Sequence, residues 1–304
     1  MSPEWISLLA SVIYGVPSSM LYILTGFIIL KHRKEFSSSF FILYTYDGIT
    51  NLFAFTGTFF LLRLNKVTCD TCVFAPLYRN LGIFIPLNLV LSMSVHTAYV
   101  QYSITTLVSL NRLSVLLNYN LMEPFWKRST WLFIFIIWLA PLLSTHIVFY
   151  YEAKVVYMQE AQYYSIRSDN FPHATLLAGV VPFTVLATIL SVIVNTISIV
   201  IVRRLKTQVR NKAEANFLVI MSITCAVQVL GSSITVAFAV SQTTPFISFL
   251  KAALPYVSDG LTLVQPWLLV CFSNAMKHRV KRIFCWSPKP RVSGQMFQTR
   301  SVTN

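Results

Sequence analysis

The sequence predicts an all-α polytopic membrane protein, a bundle of seven transmembrane helices with a short amphipathic surface helix after the seventh span. Three observations predict it. Of 304 residues, 55% are apolar and only 11% charged, whereas about a quarter are charged in soluble domains. The runs 7–30, 40–62, 81–110, 131–150, 174–202, 217–240 and 252–272 contain at most one Lys, Arg, Asp or Glu each, and each reaches the roughly 20 residues that cross about 30 Å of hydrocarbon. Basic residues then alternate by loop, with 18 Lys plus Arg on one side and 6 on the other, as the positive-inside rule requires.

The first run, 7–30, carries no basic residue before it, and Lys31, Arg33 and Lys34 follow it. It therefore reads as a retained helix with its N-terminus outside rather than as a cleaved signal peptide. The second run holds one charge, Asp47 in "YTYDGITNLF", with Asn51 one turn along the same helical face. An intramembrane acid is a functional candidate by default. The pair is suited to sharing a proton, a water cluster or a sodium ion, and the alternative is a protonated Asp that only joins helices.

Cys69 and Cys72, in the loop "TCDTC" before the third run, face the oxidising side in this topology. A local disulfide is expected; a metal site would need two further ligands that the sequence does not place nearby. The third run has a polar middle, His96, Tyr99, Gln101 and Tyr102. Counting about 1.5 Å per residue sets His96 about 24 Å from Arg112, in the outer half with Tyr99. Arg112 closes the span in "VSLNRLSVLL", because a mid-bilayer Arg costs roughly 2.5 to 3.5 kcal/mol.

The fourth to sixth runs hold no charge and read as plain spans, with Arg203, Arg204, Lys206, Arg210 and Lys212 in the cytoplasmic loop 203–216. The seventh holds Asp259, about 20 Å above its inner end, which makes it a candidate ligand contact, either as a neutral donor or as a counter-ion. Pro266, with Gln265 beside it, frees the carbonyl of Thr262 and reads as a hinge or as a simple bend. In the tail 273–304, the segment 275–286 puts Met276, Val280, Ile283 and Phe284 on one face and Lys277, Lys281 and Arg282 elsewhere, the pattern of a helix lying on the bilayer. Cys285 suits palmitoylation or remains a free thiol.

No nucleophile elbow, phosphate loop or His-x-x-x-His pair occurs, so no enzyme and no cofactor is expected. The net charge of +14 is absorbed by membrane orientation and calls for no nucleic acid. Half-repeats, which a transporter would carry, are not evident in the sequence.

Seven spans, an Arg at the inner end of the third, a Pro near the inner end of the seventh and a basic surface helix together resemble a G-protein-coupled receptor. Asn111-Arg112-Leu113 is similar to the acid–Arg–aromatic triplet of rhodopsin-like receptors without its acid, and Gln265-Pro266 is similar to their Asn–Pro pair. "YGVPSSMLYIL" (14–24), "SSFFILYTYDGITNLF" (38–53), "TCDTC", "AYVQYSITTLVSLNRLSVLL" (98–117) and "FSNAMKHRVKR" (272–282) resemble nematode serpentine receptors of the gamma class, with class V as a sibling.

The resemblance implies a chemosensory receptor in the plasma membrane, sensory cilia included, that binds a small external molecule such as a pheromone-like compound and signals to a heterotrimeric G protein. It also implies a switch at Arg112, with Glu214 or Glu123 in place of the missing acid. The competing reading is a seven-helix transporter or ligand-gated channel.

Overall fold

A computed structural model describes residues 3–160, 162–168, 173–204, 210–241 and 244–284. Its helices are α1 (Pro3–Lys31), α2 (Ser39–Phe59), α3 (Ala75–Arg79), α4 (Leu81–Phe84), α5 (Leu87–Leu117), α6 (Tyr119–Leu139), α7 (Leu142–Thr145), α8 (His173–Arg204), α9 (Arg210–Val240), α10 (Thr244–Phe272) and α11 (Asn274–Phe284), with a hairpin of β1 (Lys154–Met158) and β2 (Tyr163–Arg167) between α7 and α8. The fold is an all-α membrane bundle in which α1, α2, α5, α6, α8, α9 and α10 are the seven crossing helices.

Four stretches, Glu4–Lys31, Tyr119–Tyr150, Thr175–Arg204 and Asn216–Val240, are each long and apolar enough to cross a membrane by composition alone. The remaining three crossing helices carry polar stripes turned into the bundle. In α5, His96, Gln101, Thr105, Ser109, Asn111 and Arg112 are all buried, which leaves its apolar residues to meet lipid and neighbours.

Element ends differ from the apolar runs for local reasons. The run 81–110 contains Pro86, which forces residue 85 into an extended conformation, φ −137° and ψ 133°, so α5 begins only at Leu87. At its other end α5 continues past Arg112 to Leu117. Helix α6 begins well before the run at 131, with Asn118 accepting from the Leu121 amide at 3.3 Å as its N-cap. Pro141 follows its end, and a 3-10 turn, His146–Tyr150, completes the crossing.

The main core fills the middle and the α11 half of the bundle around Leu43, Val100, Ile104 and Leu269, all 0% exposed. Helix α11 folds back onto it: Met276 and Val280 are buried in the same cluster, whereas Ile283 on the expected apolar face is exposed. At the opposite end the antiparallel hairpin, in register from Lys154 with Arg167 to Met158 with Tyr163, packs Tyr164 into a second cluster with Leu8, Leu64, Val67 and Tyr78. The hairpin was not foreseen within 151–173. Its turn holds Gln162 at φ 53°, a left-handed position uncommon for a residue with a side chain, and the Gln162 amide donates to the Gln159 carbonyl at 2.8 Å.

Candidate functional site

Polar groups line the bundle axis in three storeys, and the first is at the end bearing α11. Ser38 caps α2 in an extended conformation and accepts from the Phe40 amide. The next residue, Ser39, donates through its amide and its hydroxyl to the two carboxylate oxygens of Glu123, at 2.7 and 2.8 Å, so a carboxylate from α6 neutralises the start of α2. Lys127 approaches the same carboxylate at 3.5 Å. Asn111 donates to Ser39 Oγ at 2.9 Å, which links α5, α2 and α6 through one buried hydroxyl.

Arg112, 2% exposed, packs against a pair of touching aromatic rings. Its guanidinium carbon is 4.3 Å from the ring centre of Phe40 on α2 and 4.7 Å from that of Phe217 on α9, with Nη2 donating to Ser38 Oγ at 3.3 Å. The two rings are 4.5 Å apart at their centroids. Delocalised and weakly hydrated, a guanidinium suits such a buried aromatic site better than an ammonium does. Glu123, foreseen as a direct partner of Arg112, instead serves Ser39, because the N-terminus of α2 presents two donors to it. The side chain of Glu214 and all of Cys285 lie outside the described residues.

The middle storey contains Asp47 and Asn51, both 1% exposed. Asn51 donates to the Tyr22 hydroxyl at 3.1 Å and accepts from the Gln101 amide at 3.0 Å. Asp47 shares a cavity lining with Gln265, and among the described residues its Oδ2 has no partner. That carboxylate, Gln265, Thr105, Thr224 and Tyr44 line a small enclosed cavity with space for roughly one water. One residue on, Pro266 lies inside α10, and Trp267 donates to Ser18 Oγ on α1 at 2.8 Å.

At the hairpin end, Asp259 and Arg63 are each 3% exposed and paired in a fork, Nη1 to Oδ1 at 3.2 Å and Nη2 to Oδ2 at 2.5 Å. The Tyr14 hydroxyl on α1 donates to Asp259 Oδ2, and the ring of Tyr256 lies 5.7 Å from the guanidinium. Three helices thus meet on one ion pair. Arg63 reads in sequence as a loop charge; a π-helical turn, Phe60–Leu64, continues α2 and turns it inward. Such turns recur at functional positions.

His96 and Tyr99, expected beside Asp259, contact other elements. His96 Nδ1 is 3.4 Å from Thr145 Oγ1 and its ring packs on Trp138. Tyr99 meets Ser144 Oγ at 3.0 Å and the ring of Phe183. Both face α6, α7 and α8, and Asp259 faces α1 and the end of α2.

Outside the spans, Cys69 and Cys72 form a disulfide with Cα atoms 5.1 Å apart. Between them Asp70 accepts from the Tyr164 hydroxyl and from Arg79, both at 2.5 Å. These two donors, Tyr164 foremost, hold the Asp70 carboxyl below the usual carboxylate range. They fasten the hairpin to the first long loop.

A polar axis inside a seven-helix bundle, ending in a caged Arg on the third crossing helix, is the arrangement of a serpentine membrane receptor. The family model described as Srg family chemoreceptor matches residues 8–280, and the chain belongs to that family. It is similar to serpentine receptor class gamma-31 of Caenorhabditis elegans, 23% identical over 288 residues that cover 91% of this chain and 92% of the relative.

Proposed function

We propose that this chemoreceptor is a G-protein-coupled receptor of the plasma membrane. Its N-terminus and hairpin face outside and α11 faces the cytoplasm. A small external molecule acts on the hairpin end of the bundle, where Asp259, Arg63 and Tyr14 join α1, α2 and α10, and the response reaches a heterotrimeric G protein through the surface around Arg112. The observation that carries the reading is the packing of the Arg112 guanidinium against the touching rings of Phe40 and Phe217.

Phe217 belongs to α9 and Phe40 to α2, so the stack ties the third crossing helix to the second and the sixth. Movement of the α9 end away from α5 removes one aromatic face from the guanidinium. That contact is worth about 0.5 to 2 kcal/mol, enough to bias a two-state equilibrium several-fold without locking it. The released fork of donors then meets backbone carbonyls or carboxylates of the partner. The buried Asp47 and, beside Pro266, the half-buried Gln265 lie between the two ends and would relay the change.

The test is signalling at matched surface density. Phe217→Ala raises basal signalling; Arg112→Ala removes signalling and spares ligand binding; Arg112→Lys, which keeps charge and loses the planar stack, resembles Arg112→Ala more than wild type. Normal signalling by Arg112→Ala overturns the assignment. Ligand-evoked current without any G protein favours the channel reading instead.

A further inference from the structure

The segment between α2 and α5 is as apolar as a membrane span and does not cross. In residues 71–88 the single charged side chain is Arg79, and it is engaged by Asp70 on the hairpin side. The rest of the segment turns large apolar groups outward: Val73 is 91% exposed, Ile83 79% and Phe84 72%. Phe74, Leu77 and Ile85 are exposed beside them. Water-facing connections are normally polar, and contiguous apolar exposure marks something that covers it.

What covers it follows from its neighbours. Phe60 and Leu62 at the end of α2, and Leu89 in the first turn of α5, are exposed apolar residues too. They belong to helices whose outward faces meet lipid, and from Asn80 to Leu89 the apolar surface continues without an intervening charge, whereas Lys66 and Asp70 stand between Leu62 and Val73 in the chain. Pro86 is the cause. By ending α4 and delaying α5 to Leu87, it leaves residues of spanning hydropathy lying beside the bundle end rather than within a crossing helix. The polar groups of this region point the other way, Tyr78 donating to the Phe60 carbonyl at 2.6 Å and Arg79 reaching Tyr164 at 3.0 Å.

We propose that residues 73–85 form a membrane-interface anchor, with α3 and α4 embedded in the lipid leaflet at the hairpin end of the bundle. Its occupant is lipid acyl chain, met by Val73, Phe74, Leu77, Ile83 and Phe84, with Arg79 kept at the aqueous side by Asp70. The anchor holds the first long loop, and through Asp70 the hairpin, at a fixed depth.

The test uses the whole receptor in lipid nanodiscs, with Cys225, Cys271 and Cys285 replaced by serine and one environment-sensitive fluorophore attached at Ile83→Cys, Phe84→Cys or, as the aqueous reference, Glu152→Cys. The side chain of Glu152 is 80% exposed, equal to Ile83 in steric access. The expected result is blue-shifted emission at 83 and 84, quenched by nitroxide-bearing lipid and spared by a water-soluble paramagnetic ion, with the reverse at 152. Quenching at 83 and 84 like that at 152 means a water-facing loop and overturns the proposal. Protection from both quenchers means that a protein surface, a second copy included, covers the patch, and overturns it equally.

Discussion

Removing Arg63 should damage the fold more than any other single charge deletion outside the Arg112 end. Its side chain and that of Asp259 are 2% and 4% exposed, so neither charge can be rehydrated where it stands. Two unit charges about 4 Å apart attract by about 4 kcal/mol at the effective dielectric of ~20 that suits such sites. Removal of one partner strands the other and costs about 3 to 5 kcal/mol. Arg63→Met should therefore lower the melting temperature of the purified receptor by on the order of 10 °C, and Asp259→Leu should do about the same.

The combined variant leaves no stranded charge and should melt within a few degrees of wild type, giving a coupling energy of about 3 kcal/mol or more between the sites. Thermal unfolding followed by thiol-reactive dye or tryptophan emission in one detergent measures all four proteins. Additive losses, with the double variant the least stable of the set, would show that the pair does not act as a unit and that Arg63 and Asp259 contribute separately.

Asp259→Asn, which weakens the pair without removing bulk, is expected to shift agonist potency at equal surface expression, and unchanged potency removes Asp259 from the ligand response. Glu123→Ala strands the buried amide of Ser39, 2.7 Å from the carboxylate, and should cost about 1 to 3 kcal/mol; Ser39→Ala, which keeps the amide bond, should cost less, and thermal melts rank them. Asp70 is held below the ordinary carboxylate value by Tyr164 and Arg79. A lowered folded value stabilises above the unfolded pKa of about 3.9 and the contribution is lost as pH falls through the folded one. Hydrogen exchange of the hairpin, corrected for intrinsic rate, should thus be level from pH 7 to about 5 and rise only below about 4, whereas Asp70→Asn loosens the hairpin at every pH.

Much of this was legible because hydrocarbon is an exacting solvent. Asp47, Arg112 and Asp259 stand out in sequence as charges within or at the ends of uncharged runs, and each lies buried in a polar network. What escaped was geometry that no periodicity encodes. Arg63 follows its run and reads as loop, since a π turn of five residues leaves no compositional mark. Glu123 reads as a partner for Arg112 by nearness in topology, but the amide and hydroxyl of Ser39 at the start of α2 claim it. Phe40 and Phe217 are unremarkable among 23 phenylalanines; only the stacking distances single them out. The hairpin was masked by a longer connection, though "KVVYM" and "YYSIR" hold the β-branched and aromatic residues that favour strands.

The fastening of that hairpin sets how its strands can open. The disulfide spans three residues of one loop and does not include the hairpin, which is held by Asp70, Arg79 and Tyr164 and by Asn88 accepting from the Ala153 amide at 2.9 Å. Since Tyr164 packs with Leu64, next in chain to Arg63, lifting the strands uncovers the approach to the charged pair. A covalent strap would make the opening all or nothing and give its control to redox conditions. Reversible contacts instead leave the strands able to open and reclose with the disulfide intact, because the ion pair of Asp70 and Arg79 lies within the first long loop and the Tyr164 hydroxyl joins it to the hairpin.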